Sequence, residues 1–313
     1  MLEAHFKVYY ASAQKNKLLR LLDMMFTLRK RRRELDVVII SVYSTLNFYF
    51  AYIIALMCRY YRKPYIAYLH GGNLPFRLRQ SPLKSAAIFR HSYRNVAPSA
   101  YLKAAFESAG YPSVLIPNFI ELDDYPFKQR HKLQPHLLWV RSFEKTYHPE
   151  MTVRVFAELC RDYPHAKLCM VGANKDGSLA ICRQLVRDSG LEKQVSFPGK
   201  LSREAWIARS ADYDIFINST RFDNTPVSVL EAMALGLAVV STNVGGIPFL
   251  LDHDTDALLS PDADIPAMVQ NIKKLLEHPE LSGKITKNAR LKVAGFDWKV
   301  VEKQWLELLE HAG

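Results

Sequence analysis

The chain has 313 residues, 49% of them hydrophobic and 23% charged, a balance that suits two globular domains and excludes a disordered chain. Its four cysteines, Cys58, Cys160, Cys169 and Cys182, form no C-x-x-C pair, which argues against a zinc site or a disulfide framework and for a reducing compartment. The net charge of +11 attracts polyanions and leaves phosphorylated substrates and anionic lipid open. No RNA-recognition or helix-turn-helix signature accompanies it, so nucleic acid is not an expected partner.

The opening residues, MLEAHFKVYY, carry no secretory leader pattern. An apolar stretch, Leu18–Leu28, then runs into Arg29-Lys30-Arg31-Arg32-Arg33. Two readings of this basic run stand open: a solvated helix end, or a patch for an anionic membrane surface. Val37–Cys58 has no charged side chain and is long enough to raise a membrane span. Ser41, Ser44, Thr45 and Asn47 interrupt it, however, and Val37-Val38-Ile39-Ile40 has the β-branched character of a buried parallel strand. A strand, a polar turn and a buried helix over 48–60 are therefore expected.

Strands are further predicted at 65–69, 94–97, 114–116, 137–141, 167–171, 195–197, 214–218 and 238–241. Helical patterns fall near 100–109, 150–162, 178–189, 202–210, 226–235 and 265–277. This alternation predicts parallel sheets covered by helices on both faces. The polar stretch 127–135 reads as a linker. It divides the chain into two doubly wound α/β domains, 1–130 and 131–295, followed by a closing helix over 296–313. In such sheets ligands lie at the carboxyl ends of the strands, so site residues are sought just after each strand.

The segment IFINSTRFDNTPVSVLEAMALGLAVVSTNVGGIP, residues 215–248, is the richest in chemistry. Ile215-Phe216-Ile217 predicts a strand. Asn224, Thr225, Pro226 and Val227 predict a helix start, with Thr225 as N-cap and Pro226 at the first helical position. Gly236 ends that helix. Unpaired amides at a helix N-terminus attract anions, a diphosphate among them. By helical rise, Glu231 lies about 7–8 Å further on, roughly the distance from a phosphate to a ribose. Asp223 stands on the preceding loop, placed to meet a sugar hydroxyl. Taken singly, each acid reads equally as a surface or turn residue.

Asp223-x(7)-Glu231, within DNTPVSVLEAMALGLAVVSTNVGGIP, resembles the E-x(7)-E motif of the retaining glycosyltransferases called family 4 or group 1, with Asp in place of the first Glu. The LEAMALG and VGGIP portions match that family's pattern almost letter for letter. The resemblance implies the GT-B fold, two Rossmann-like domains facing across a cleft. It extends to Arg141 and Lys145, after the strand Leu137–Val140, as cations that hold the donor diphosphate. Gly172 resembles the family's strand-end glycine, Gly199 in Phe197-Pro198-Gly199-Lys200 its base-contacting loop, and Gly245-Gly246 its glycine turn. His70, Gly71, Gly72 and Asn73 resemble its acceptor-side loop, which implies His70 beside the transferred sugar. Ala97-Pro98-Ser99 and Ile116-Pro117-Asn118 match further patterns of the family. Members usually open with a strand and a Gly-Gly loop, whereas no glycine precedes Gly71 here; either the chain is truncated or that segment is replaced.

The resemblance implies transfer of a sugar, with retention, from a nucleotide-diphosphate sugar to a glycan or lipid-linked acceptor, in cell-surface polysaccharide or glycolipid synthesis. Neither a metal nor a cofactor is required on this reading. Helix amides and cations stabilise the departing diphosphate instead. The acid strings at Asp252–Asp256 and Asp262–Asp264 lie in polar loops, away from a strand end where a metal-dependent transferase would use them. Two alternatives remain: a nucleotide-sugar epimerase of the same fold, and a donor-binding protein without catalysis. The expected location is cytoplasmic, at the inner face of the plasma membrane if the basic run binds lipid.

Overall fold

A computed structural model describes residues 2–312. It divides into two units, one comprising Met1–Asn118 with Lys299–Gly313 and the other Phe119–Trp298.

In the first unit, α1 (Lys17–Arg31) begins where the Asn16 side chain accepts from the amides of Leu18 and Leu19. Four parallel strands follow, each but the last leading into helix: β1 (Val38–Val42), α2 (Asn47–Tyr60), β2 (Tyr65–Leu69), α3 (Leu74–Gln80), α4 (Pro82–Phe89), β3 (Arg94–Ala97), α5 (Ala100–Ser108) and β4 (Ser113–Leu115). The strands pair in chain order, β1-β2-β3-β4. Val37–Cys58 is thus strand, turn and helix, and among the described residues no helix is long and apolar enough to cross a membrane. Ile40 and Val42 of β1, Phe48 and Ile54 of α2, Leu69 of β2 and Phe106 of α5 share one core. Leu28 of α1 is buried in that core, with Met24 and Met25 against it. Leu18, Leu19, Leu22 and Phe26 are exposed instead.

The second unit carries β5 (His136–Val140), α6 (Pro149–Asp162), β6 (Lys167–Val171), α7 (Ser178–Asp188), β7 (Val195–Gly199), α8 (Arg203–Ser210), β8 (Ile215–Asn218), α9 (Val227–Ala234), β9 (Ala238–Thr242), β10 (Leu258–Ser260), α10 (Ile265–Glu277) and α11 (Pro279–Val293). Its parallel sheet has the order β10-β9-β8-β5-β6-β7. Side chains alternate between two cores, as a sheet covered on both faces requires. Leu137, Trp139, Ile215, Ile217 and Val240 meet α6, α7 and α10 on one face. Leu138, Phe216 and Val239 meet α8 and α9 on the other. Gly236, at φ +74°, ends α9 in the left-handed conformation that a side chain would disfavour.

The last helix, α12 (Trp298–Glu310), lies almost wholly in the first unit, where its Trp305 ring meets Tyr68 edge-on at 5.3 Å. The division between units falls after Asn118 and not near residue 130. The reason is Arg130, which is 4% exposed and anchors its own segment to the second unit. Its Nε donates to Asp214 Oδ1 at 2.9 Å, and its other nitrogens donate to the carbonyls of Lys128, Ser210, Tyr213 and Leu235. Asp214 in turn accepts from the Gln134 amide. The stretch that composition marks as a linker is therefore bonded to a buried cation. Replacing Arg130 with Ala leaves Asp214 and several carbonyls without a donor, and should cost about 3–5 kcal/mol. Urea denaturation of the R130A variant reads this as a lowered midpoint; an unchanged midpoint contradicts the anchoring role.

Candidate functional site

The order of the second sheet contains a reversal. From β5 the chain builds outward through β6 to β7, then returns to the other side of β5 for β8, β9 and β10. Loops at such a reversal leave in opposite directions and open a crevice at the strands' carboxyl ends. Arg141 follows β5, and the loop to α9 follows β8, so these residues flank the crevice.

Arg141 remains on the ladder, its amide donating to Val171 O at 3.0 Å. Gly172 makes this approach feasible, because a Cβ there would lie 1.6 Å from Arg141 O. The Arg141 guanidinium pairs with Asp223, Nη2 to Oδ2 at 2.5 Å, and lies 4.8 Å from the centre of the Tyr147 ring. Its Nε is buried and has no acceptor among the described residues. Asp223 is fixed as well: Oδ1 accepts from the Asn224 amide at 2.7 Å, and its carbonyl accepts from the Gly246 amide at 2.8 Å. The Gly245-Gly246 turn backs this loop closely. A Cβ on Gly246 would lie 1.9 Å from Asn224 O, and Gly245 has φ +56°. The glycine pair thus secures the backbone that presents Asp223 to Arg141.

Helix α9 starts at Val227, with Pro226 as the N-cap in an extended conformation. Thr225 is buried ahead of the helix and is not the cap, since Pro226 carries the chain one residue further before it turns helical. One turn in, the Glu231 carboxylate accepts from Tyr125 OH at 2.6 Å. Burial holds this carboxyl above its ordinary pKa, against the opposing pull of Tyr125, Arg203 and Arg141.

A cavity of about 500 Å³ opens here, lined by Arg141, Tyr147, Lys175, Lys200, Arg203 and Glu231 among others, with Gly172 in its wall. Of the residues expected from the sequence, it gathers Arg141, Gly172 and Glu231. Asp223 reaches it through its pair with Arg141, and Gly199, at φ +81°, turns the chain just before Lys200. Asn224, Thr225, Pro226 and Val227 lie outside its lining, as does Lys145. Lys145 occupies a short 3-10 turn with an exposed side chain, its amide held by Asp176 Oδ2 at 2.8 Å. Tyr147 lies under Arg141 instead. Lys175 was not singled out from the sequence, and Lys200 only as the last residue of the loop 197–200; both follow strands, β6 and β7, where the rule for open α/β sheets directs attention. Arg203 begins α8 behind the Ser202 cap.

The acids of the 252–256 string face lysines: Lys292 pairs with Asp252 and Asp256, and Lys274 with Asp254. Asp264 caps α10 by accepting from the Ala267 amide. Among the described residues no group of three or more His, Cys, Asp or Glu is placed to hold a metal ion.

In the first unit, His70 follows β2, stacked on Tyr43 with ring centres 5.2 Å apart and edge-on to Tyr68 at 4.0 Å. Burial pushes its pKa down, which favours the neutral imidazole. A Cβ on Gly71 would lie 2.7 Å from the Ser44 amide nitrogen. Arg77 donates twice to Ser44 O, at 2.7 and 2.9 Å, and ties the loop after β1 to α3. Gly72 is half-buried and Asn73 exposed, the latter preceding α3 without capping it through its side chain.

Residues 123–292 match the family described as glycosyl transferases group 1, and residues 4–124 match glycosyltransferase family 4. The chain is 29% identical over 157 residues to a subunit of the phosphatidylinositol N-acetylglucosaminyltransferase of Arabidopsis thaliana, covering 50% of this chain and 34% of that protein. It is 26% identical over 167 residues to N-acetyl-α-D-glucosaminyl L-malate synthase of Bacillus anthracis, covering 53% and 42%. The chain thus spans less than half the length of these curated relatives. Among solved structures, Anabaena HepE in complex with UDP superposes with a TM-score of 0.79 at 18% identity, covering 99% of this chain and 88% of that one. That likeness carries the fold of two parallel-sheet, Rossmann-like units. With more than half of its residues matched by that family, the chain belongs to the glycosyl transferases group 1 family.

Proposed function

We propose that the chain transfers a sugar from a nucleotide-diphosphate sugar to a glycan or lipid-linked acceptor. One observation carries this reading. At the sheet's reversal point, a cavity lined by Arg141, Lys175, Lys200 and Arg203 holds a single acid in its lining, Glu231, while the buried Arg141 Nε has no acceptor among the described residues. A diphosphate supplies the oxygens that such a cluster seeks, and cations already in place neutralise charge as the bond to the sugar breaks. Glu231, at the cavity wall, suits a ribose diol. The B. anthracis relative is named for N-acetylglucosaminyl transfer to malate and the A. thaliana relative for phosphatidylinositol. A nucleotide-sugar donor fits both names.

On this proposal the acceptor hydroxyl attacks the face from which the diphosphate departs, so configuration is retained. The leaving phosphate takes the hydroxyl proton. Arg141 and the lysines meet the charge that develops there, with no metal or cofactor required. His70, neutral in its buried setting, accepts or donates a hydrogen bond to a sugar hydroxyl, and Gly71, Gly72 and Asn73 shape the acceptor loop.

The exposed face of α1 supports a cytoplasmic location at the inner face of an anionic membrane. Leu18, Leu22 and Phe26 succeed one another at four-residue spacing, and Arg29 and Lys30 continue the same side; the one acid of α1, Asp23, is half-buried and accepts from the Ser12 amide at 2.8 Å. Surface synthesis of polysaccharide or glycolipid would bring lipid-linked acceptors to that face.

Arg141→Ala and Glu231→Ala should each weaken nucleotide-sugar binding by about 1–3 kcal/mol, the scale of a lost charge-assisted bond. Lys145→Ala should cost less than either, since its side chain lies outside the cavity. Calorimetry with UDP-, GDP- and ADP-sugars reads all three, and parental affinity in both R141A and E231A would exclude this cavity as the donor site. For the membrane, the protein should sediment with vesicles containing phosphatidylserine and far less with phosphatidylcholine alone, and Phe26→Asp should abolish the difference. Sedimentation that ignores anionic lipid contradicts the placement.

A further inference from the structure

The carboxylate of Glu231 is gripped from behind by a residue outside the cavity lining. Tyr125, in the connection that precedes β5, is 2% exposed, and its hydroxyl lies between two partners. It contacts Glu231 Oε1 at 2.6 Å and Arg203 Nε at 2.9 Å. The direction of both bonds is fixed by chemistry. A guanidinium only donates, so the tyrosine oxygen accepts from Arg203 and its proton goes to Glu231. Arg203 is itself anchored, with its guanidinium 4.9 Å from the Tyr125 ring centre and its Nη2 3.2 Å from Asp124 Oδ2. The chain of bonds therefore runs Asp124, Arg203, Tyr125, Glu231, and its last member lines the cavity.

A carboxylate on a helix has rotational freedom about its terminal torsion, and a single short bond to one oxygen removes most of it. Tyr125 occupies one oxygen and leaves the other, with its lone pairs, for a ligand. Burial disfavours the charged carboxylate, and the Tyr125 bond works against that cost.

We propose that Tyr125 is a positioning residue, locked by Arg203, that fixes the Glu231 carboxylate so that its remaining oxygen meets the vicinal hydroxyls of the donor's ribose. This rests on the donor reading above. Tyr125→Phe keeps the ring and its packing while deleting the bond, so the fold is retained.

The test is calorimetry of the parent and of Tyr125→Phe with UDP, GDP and ADP, and with the 2′,3′-dideoxy form of whichever binds. The parent should prefer the ribonucleotide by about tenfold, the scale of hydrogen bonds to a charged group. In Y125F that preference should shrink toward parity while affinity for the dideoxy form stays the same, a split that general loss of structure would not produce. A second readout is pH. Binding that needs the Glu231 carboxylate is present above its pKa and lost as pH falls through it. Tyr125, Arg203 and Arg141 are the groups that lower that pKa. Deleting the Tyr125 bond should move the ribonucleotide midpoint to higher pH. Full retention of the parental preference, with an unmoved midpoint, would overturn the role of Tyr125 and leave the donor site standing. Failure of the parent to bind any of the three nucleotides would instead remove the donor site, and the proposal with it.

Discussion

Arg141 is a guanidinium held largely out of water at the point where the second sheet reverses direction. A charge in that position is costly unless it is paired and hydrogen-bonded, and much of the surrounding backbone is arranged to meet the requirement. Asp223 supplies one partner and the Tyr147 ring a second surface. Gly172 allows the neighbouring strand end to pass within reach, and Gly245-Gly246 holds the Asp223 loop in place from the far side. The arrangement pairs Nη2 with Asp223 and leaves the buried Nε without a partner among the described residues. Such partial satisfaction is expected where the missing acceptor belongs to a ligand.

Topology explains why the second unit rather than the first carries this crevice. Its strands spread both ways from the central pair β5 and β8, so successive loops diverge there. The described strands of the first unit follow one another in chain order with no reversal. The loops after β1 and β2 accordingly pack together, Ser44 against Gly71 and Arg77, and make a stiff support for His70.

Much of the fold was legible in the pattern of side chains, because the inner strands β2, β5, β6, β8 and β9 are largely buried on two faces and read as apolar runs. The helices α3, α4 and α11, each opened by proline, escaped notice, as did β10 with only three residues. Arg130 was hidden for a different reason. It sits in a polar stretch with every appearance of a linker, and only the tertiary structure shows the carbonyls that converge on it. In the site, Asp223 and Glu231 were accessible through a motif spacing that local chemistry also supports, and Arg141 through its place just after a strand. Lys145 was expected from a resemblance to the family's Arg-then-Lys pattern; its side chain is exposed in the 3-10 turn at 145–147, while the Tyr147 ring lies against Arg141. Lys175 and Lys200 follow strand ends and were open to the same rule that found Arg141. Tyr125 had no such signal: it lies far in the chain from Glu231, and packing alone brings the two together.

The picture that results is of a site whose charges are in place before a ligand arrives, which is how electrostatic stabilisation avoids reorganisation at the moment of reaction. Its most direct test is a crystal structure of the protein with a bound nucleoside diphosphate. The account predicts the pyrophosphate against Arg141, within bonding distance of its Nε, and the ribose at Glu231. A nucleotide bound elsewhere, with the tips of β5 and β8 bare, would contradict it.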